Sequence, residues 1–372
     1  MAIKTRTHWL PDKEFWEESK QMNEAIQTLH PDLFPDVFRD VEHLEDFMSI
    51  PTQGVIDDLN RLDGDIMILG VGGKIGVTMA RMAKKACPDK RVIGVSRFSE
   101  EGVQERLNDW GIETIVCDLL DRDAVNALPK VKNVIYMAGL KFDYRGREDF
   151  LWAMNTIAPQ ITAEAFKDSR LVTFSTIHVY PWSNPLHGGV TEADLPMARP
   201  GEYANSVVGR ERTFEHFSKK YGTPGRTMRF VYAIDPRYGV MQEIASWVNE
   251  GKPVPLDTGH VNTMWQGDAN AQFLRMLANT TVPASPINVG GPETVSVRYL
   301  ARRFGEALGK EPVFTGVEQD NCLLVNCDKA NGLMGNPVVP MDPMIRWVAD
   351  WVKTGKPVHG KPSKFEVRSG EF

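Results

Sequence analysis

The stretch Asp65-Ile66-Met67-Ile68-Leu69-Gly70-Val71-Gly72-Gly73-Lys74-Ile75-Gly76 sets the reading of this 372-residue chain. A short apolar run ends in Gly70-x-x-Gly73-x-x-Gly76, and an apolar helical run, Val77 to Ala86, follows directly. Strand, tight turn and helix in that order make a dinucleotide-binding element. Gly70 permits the turn, Gly73 lets a pyrophosphate approach the backbone, and Gly76 allows the helix to pack closely on the strand. The helix N-terminus then offers unpaired N–H groups and a partial positive charge to the phosphates. A glycine triplet alone is weak, and its competing reading is a structural turn; the flanking strand and helix carry the assignment.

Working outward, short β-rich runs alternate with helical stretches from Asp65 onward. Ile66–Leu69, Arg91–Val95, Thr114–Cys117, Asn133–Met137 and Leu171–Phe174 read as strands, with helices near 74–87, 100–110, 121–128 and 148–168. Nearly continuous apolar strands suit a parallel sheet covered on both faces. The expected fold is therefore α/β, a Rossmann-like doubly wound parallel sheet. Residues 65–235 would form the dinucleotide-binding unit. Residues 236–372, where Pro and Gly become frequent, would form a smaller substrate-capping region. Residues 1–64 read as a helical extension, with helices through Phe15, Met22, Ile26 and Leu29, over Asp36–Met48, and after Pro51 through Val55, Leu59 and Leu62. Such helices must pack on the main body or on a second subunit.

Composition excludes several classes. The formal net charge is −6 with no Lys/Arg cluster, which argues against nucleic acid. No apolar stretch approaches the ~20 residues needed to span a bilayer, and Met1–Leu10 has no signal-peptide core. Cys87, Cys117, Cys322 and Cys327 lack metal-ligand spacing, so no metal is expected and reduced thiols in a cytoplasmic protein are.

Around the glycine turn, Lys74 and Ile75 belong to the cofactor loop. The second strand ends in Ser96-Arg97, where an NAD-selecting protein usually carries an acid for the ribose 2′-OH. A hydroxyl and a guanidinium suit a 2′-phosphate, so NADP is favoured over NAD; the competing reading of Arg97 is a solvated loop residue. Asp118 and Leu119 follow the third strand, with Asp118 placed to accept from the adenine amino group. The fourth strand ends Ala138-Gly139-Leu140-Lys141, small enough for the nicotinamide half to pass.

These segments resemble the extended short-chain dehydrogenase/reductases of the epimerase/dehydratase type. Ala138–Lys141 is similar to the corresponding strand end of UDP-galactose 4-epimerases. The likeness extends over roughly 65–355, through Phe174-Ser175-Thr176-Ile177-His178-Val179-Tyr180, Arg229–Tyr232, Gln266–Ala269 and Ile287–Gly291. It implies that Lys141 reaches the cofactor and that Asn155 is the structural Asn of the following helix. It also implies that Thr176 orients the substrate oxygen, that Tyr203 transfers the proton, and that the protein is a homodimer.

The resemblance breaks at one position. The family places a Lys four residues after its Tyr, to lower the phenol pKa; here that residue is Val207, and no other Tyr-x-x-x-Lys exists. Val207 supplies neither charge nor hydrogen bond. Three readings stay open: another cation, Arg210 or Lys141, takes over; Tyr203 polarises a substrate without acting as a strong base; or the site binds a dinucleotide without catalysis. Two diphosphate-binding positions of nucleotide-sugar members are also changed, to Tyr232 and Val261. A smaller polar substrate is expected instead, with His178, Tyr232 and Arg237 as candidate contacts, and Arg147, His260 and Trp265 as weaker ones. The expected function is an NAD(P)-dependent oxidoreductase or epimerase/dehydratase acting on a small sugar-like or keto/hydroxy acid substrate. The alternative is a non-catalytic dinucleotide-binding sensor or scaffold.

Overall fold

A computed structural model describes residues 26–197 and 200–370. Seven strands form the central sheet: β1 (Ile66–Leu69), β2 (Val92–Ser96), β3 (Glu113–Val116), β4 (Asn133–Tyr136), β5 (Arg170–Thr176), β6 (Gly225–Phe230) and β7 (Ser285–Val289). Their order is β7-β6-β5-β4-β1-β2-β3, and every pairing is parallel. Leu69 pairs with both Val95 and Tyr136, so the strand order reverses at β1. The crevice beyond the strand ends at such a reversal is where this fold binds ligands.

β1 and β4 are buried throughout, as continuous apolar strands in a two-sided sheet must be. β3 is an edge strand, and Val116 in its apolar run is exposed, unlike the fully covered strand expected. Helix α3 (Lys74–Ala86) follows the glycine turn. The expected helix 148–168 is interrupted: α-helical turns at Glu148–Trp152 and Ala158–Ala165 flank a π-helical segment, Ala153–Ile157.

Among the described residues two α-helices precede the sheet: α1 (Val41–Met48), capped by Asp40 through His43 N at 2.8 Å, and α2 (Gln53–Arg61), capped by Thr52. Phe15 and Met22, part of the first helix expected from the sequence, lie outside the described residues; Ile26 and Leu29 sit in irregular chain. This extension packs on the main body. Phe38 stacks on Trp265 at 5.9 Å between ring centroids, and Phe47 and Trp347 complete the aromatic cluster. The region after residue 235 is not a separate body, because β7 pairs with β6 inside the main sheet. Among the described residues no helix is long and apolar enough to cross a membrane, and no cluster of His, Cys, Asp and Glu could hold a metal ion.

Candidate functional site

Two adjoining hollows open at the carboxyl ends of the strands. The first, about 250 Å³, is floored by the glycine turn. Gly70 has φ +94°, and a Cβ there would come within 2.7 Å of Ala138 N. A Cβ on Gly72 would meet Ser96 Oγ at 2.8 Å. The positive φ and the backbone contact make Gly70 the position that needs glycine, whereas the Ser96 hydroxyl facing Gly72 can rotate away. Gly73 is the N-cap of α3 and supplies no capping side chain, so the helix terminus presents bare N–H groups to an anion. Gly76 packs directly beneath Val71. The far wall is formed by Ser96, Arg97 and Ser99 at the end of β2, Asp118 and Leu119 after β3, and Ala138 and Gly139 after β4. A cleft with a bare helix terminus and polar ends fits an extended dinucleotide.

The second hollow, about 360 Å³, lies beside it. Thr176, His178 and Tyr232 line it, and so do Lys74, Ile75 and Lys141. The last three, expected around the cofactor, line this second cavity. Sequence reasoning missed Tyr238 from the loop before the helix Val240–Glu250, Phe142, and Ser363 from the C-terminal tail. No local pattern marks them, because each arrives from a segment remote from the glycine turn.

Arg237 is not in the cavity. It is buried in an ion network, donating to Asp235 Oδ2 at 2.7 Å and to Glu45 Oε1 at 2.7 Å, and so joins α1 to the body. Its side chain is held in this network and is not among the residues that line the cavity. Trp265 belongs to the aromatic cluster, His260 to a short strand paired with Ser296, and Arg147 is exposed.

The model of the NAD-dependent epimerase/dehydratase family matches residues 66–273, more than half of the chain. The chain belongs to this family. No curated protein matches it by sequence. Among solved structures, UDP-glucuronic acid 4-epimerase from Bacillus cereus in complex with NAD is similar at TM-score 0.67 and 19% identity, covering 78% of this chain and 99% of that one. UDP-glucose 4-epimerase from Thermotoga maritima, with UDP-glucose, gives 0.64 and 18% over 78% and 99%. Pal from Bacillus thuringiensis gives 0.64 and 19% over 78% and 100%. At these identities the likeness is one of fold.

Tyr203 and Thr176, the two residues expected from the sequence at a reaction centre, lie together. Tyr203 lies on helix α4 (Glu202–Tyr221). It shares a side-chain hydrogen bond with Thr176, packs edge-on to His178 at 5.8 Å, and has Lys141 Nζ 5.7 Å from its ring centroid. Burial pushes the Tyr203 phenol above its ordinary value, while Arg210 and the Thr176 bond pull it back only in part. Val207 is fully buried among Ile177, Val179, Tyr180 and Val231.

Arg210, three residues on, is also buried. It donates to Phe174 O at 3.2 Å and to Asn155 Oδ1, and lies behind Gly139. Asn155, in the π segment, also bonds Leu140 N (3.1 Å), Leu140 O (3.0 Å) and Ser206 Oγ (2.9 Å). It thereby locks the end of β4 to the tyrosine helix. A π turn inserted in a helix at a functional site is a recurring device.

Proposed function

We propose that this protein is an NAD(P)-dependent oxidoreductase or epimerase/dehydratase acting on a small sugar-like or keto/hydroxy acid substrate. The observation that carries the reading is the pair of adjoining hollows, one floored by the glycine turn and the other lined by Thr176 and His178 with Tyr203 behind them. Gly70, Gly73, Gly76, Ser96, Arg97, Asp118, Leu119, Ala138 and Gly139 hold the dinucleotide in this reading, and Asn155 fixes the wall beside it. Ser96, Arg97 and Ser99 at the end of β2 support NADP, although the solved relatives named above with a cofactor carry NAD.

A bound nicotinamide supplies hydride exchange. Thr176 orients the substrate oxygen, and Tyr203, protonated at neutral pH because burial raises its pKa, donates a proton or hydrogen bond to that oxygen. Arg210 supplies part of the positive field that Val207 lacks. Tyr232 and Val261, where diphosphate ligands are expected in nucleotide-sugar enzymes, support the smaller substrate. Exposed Trp152 and Ile157, beside the tyrosine helix, support a homodimer through that face; a cytoplasmic location accords with four unpaired cysteines.

The burial of Val207 in an apolar cluster favours a second reading, a dinucleotide sensor without turnover. Cofactor titration followed by a panel of small sugars and hydroxy acids tests both. Reduction or oxidation of bound cofactor by a panel member, lost in Y203F and T176A, is the expected result. Tight cofactor binding with no turnover by any member assigns the sensor.

A further inference from the structure

After the helix Met341–Lys353 the chain has no further helix or strand among the described residues, yet it stays on the body through a series of anchors. His359 N donates to Arg237 O at 3.0 Å. Ser363 donates twice to Glu243 of the helix Val240–Glu250, from its backbone N to Oε1 and from Oγ to Oε2 at 2.6 Å. Phe365 is buried beside Trp247, 5.9 Å between ring centroids, and its carbonyl accepts from Thr258 Oγ1 at 3.1 Å. Arg368 donates to Asp257 O at 3.1 Å and to Asn321 O at 3.0 Å. Gly370 then packs on Gly201, the N-cap of α4, so closely that a Cβ on Gly201 would collide with the Gly370 carbonyl.

Midway along this path Ser363 forms part of the wall of the second hollow. The residues around it suit movement. Gly360, Lys361 and Pro362, which lead into Ser363, are exposed. Lys364, between two buried neighbours, is held at φ 56°, a left-handed conformation that is costly for a residue with a side chain. A segment fixed by a few anchors, outside any helix or strand, opens locally before the core sheet does.

We propose that residues 356–370 form a strap over the second cavity, latched by Glu243 and Ser363, and that a small molecule enters or leaves when the strap lifts. The proposal rests on the reading of this hollow as the substrate site and adds how access to it is controlled. Lifting the strap strips Glu243 of both bonds from Ser363 and exposes Phe365, while the parallel sheet stays folded. Because its far end rests on the N-cap of α4, the closed strap also ties the helix Val240–Glu250 to the helix that carries Tyr203.

The test places a thiol in the cavity. Ala233 lines it, and A233C is labelled with a small methanethiosulfonate followed by intact mass. The native cysteines are buried, and each protein without A233C supplies its own background. The cavity thiol is expected to react at least about tenfold more slowly than a free thiol, because it waits for local opening. E243A is expected to speed labelling by about tenfold or more, and S363A, which keeps the backbone bond, by a smaller factor. Hydrogen exchange should show the amides of 359–367 exposed in those variants while β1, β4 and β5 remain protected. Labelling at the free-thiol rate without either change shows an open cavity and overturns the proposal. So does a rate that neither variant alters, or one that rises only together with exchange in the sheet, since the opening is then general unfolding. Should E243A not fold, S363A alone decides. Labelling needs no turnover: a strapped protein that turns over no substrate sinks the substrate reading and leaves the strap, and free access in an active enzyme does the reverse.

Discussion

Replacing Glu211 by Gln is the sharpest test of how the tyrosine helix is held. Glu211 lies two turns beyond Tyr203 on α4 and takes both forks of Arg229 from β6, at 3.0 Å from Nε and 2.7 Å from Nη2. The two side chains are only 6% and 3% exposed. Arg229 Nη1 also donates to Tyr180 Oη at 2.6 Å, and Tyr180 donates on to Asn288 Oδ1 at 2.9 Å. Burial alone lowers the Arg229 pKa, but pairing with Glu211 outweighs it and holds the guanidinium charged. E211Q keeps the shape and leaves that charge buried without its counter-ion. Breaking one side of a buried pair costs about 3–5 kcal/mol, against about 0–1 kcal/mol for a surface pair. Denaturant unfolding followed by circular dichroism, with an unchanged slope, reads the loss as a lower midpoint. The double variant E211Q/R229M removes the stranded charge and is expected to recover part of the loss. An E211Q cost below about 1 kcal/mol, or a double variant no more stable than E211Q, would falsify the claim that this pair is desolvated and coupled.

Gly70→Ala places a Cβ against Ala138 N at a positive φ, so NAD(P)H binding measured by fluorescence should weaken at least about tenfold; unaltered affinity would show that the turn does not hold the cofactor. Arg97→Ala should weaken NADPH binding by about tenfold or more while changing NADH little, since only the former carries the 2′-phosphate; equal loss of both would refute the NADP preference. Val207→Lys buries an amine among Ile177, Val179, Tyr180 and Val231, and a cost of several kcal/mol, on the order of 2–5, is expected without any gain in turnover. A stable, more active V207K would show instead that the amine reaches the cofactor. Finally, the unfolded chain holds the Lys74 proton up to about 10.4 while the folded protein releases it from about 7, so its charged form penalises the fold below pH 7. Stability should gain from this residue as pH rises from about 7 to about 8.5, where the raised tyrosines and cysteines still keep their protons; K74M should lack that gain, and parallel wild-type and K74M curves would contradict it.

The strand–turn–helix at Asp65–Ala86 was readable because every signal in it is local: apolar period, glycine spacing and helix start all fall within one stretch. From it the parallel sheet followed. Other features were hidden by distance or geometry. Nothing in Thr114–Cys117 distinguishes an edge strand from a central one, because both read as apolar runs. The π turn around Asn155 leaves the helical period of 148–168 nearly intact, while shifting which side chains face β4. Arg237 pairs with Asp235 two residues away, but the partner that ties it to α1, Glu45, lies 192 residues away and leaves no local signal. The same distance hid Ser363, whose carbonyl meets Lys141 across 222 residues.

The substitution at Val207 acquires a physical meaning from Arg210. A lysine on the tyrosine's own face serves in two ways, as a charge beside the phenol and as a donor to the cofactor ribose. In this chain the charge sits one turn further along, fixed by Phe174 O and Asn155 Oδ1. Those bonds hold Nη1 and Nη2, while the buried Nε has no hydrogen-bond partner among the described residues, and the guanidinium contributes its field to the phenol. The field is also smaller than the cost of burial, since Tyr203 remains above its ordinary pKa. A phenol in that state holds its proton at neutral pH and is better suited to stabilising a developing alkoxide than to abstracting a proton from an alcohol.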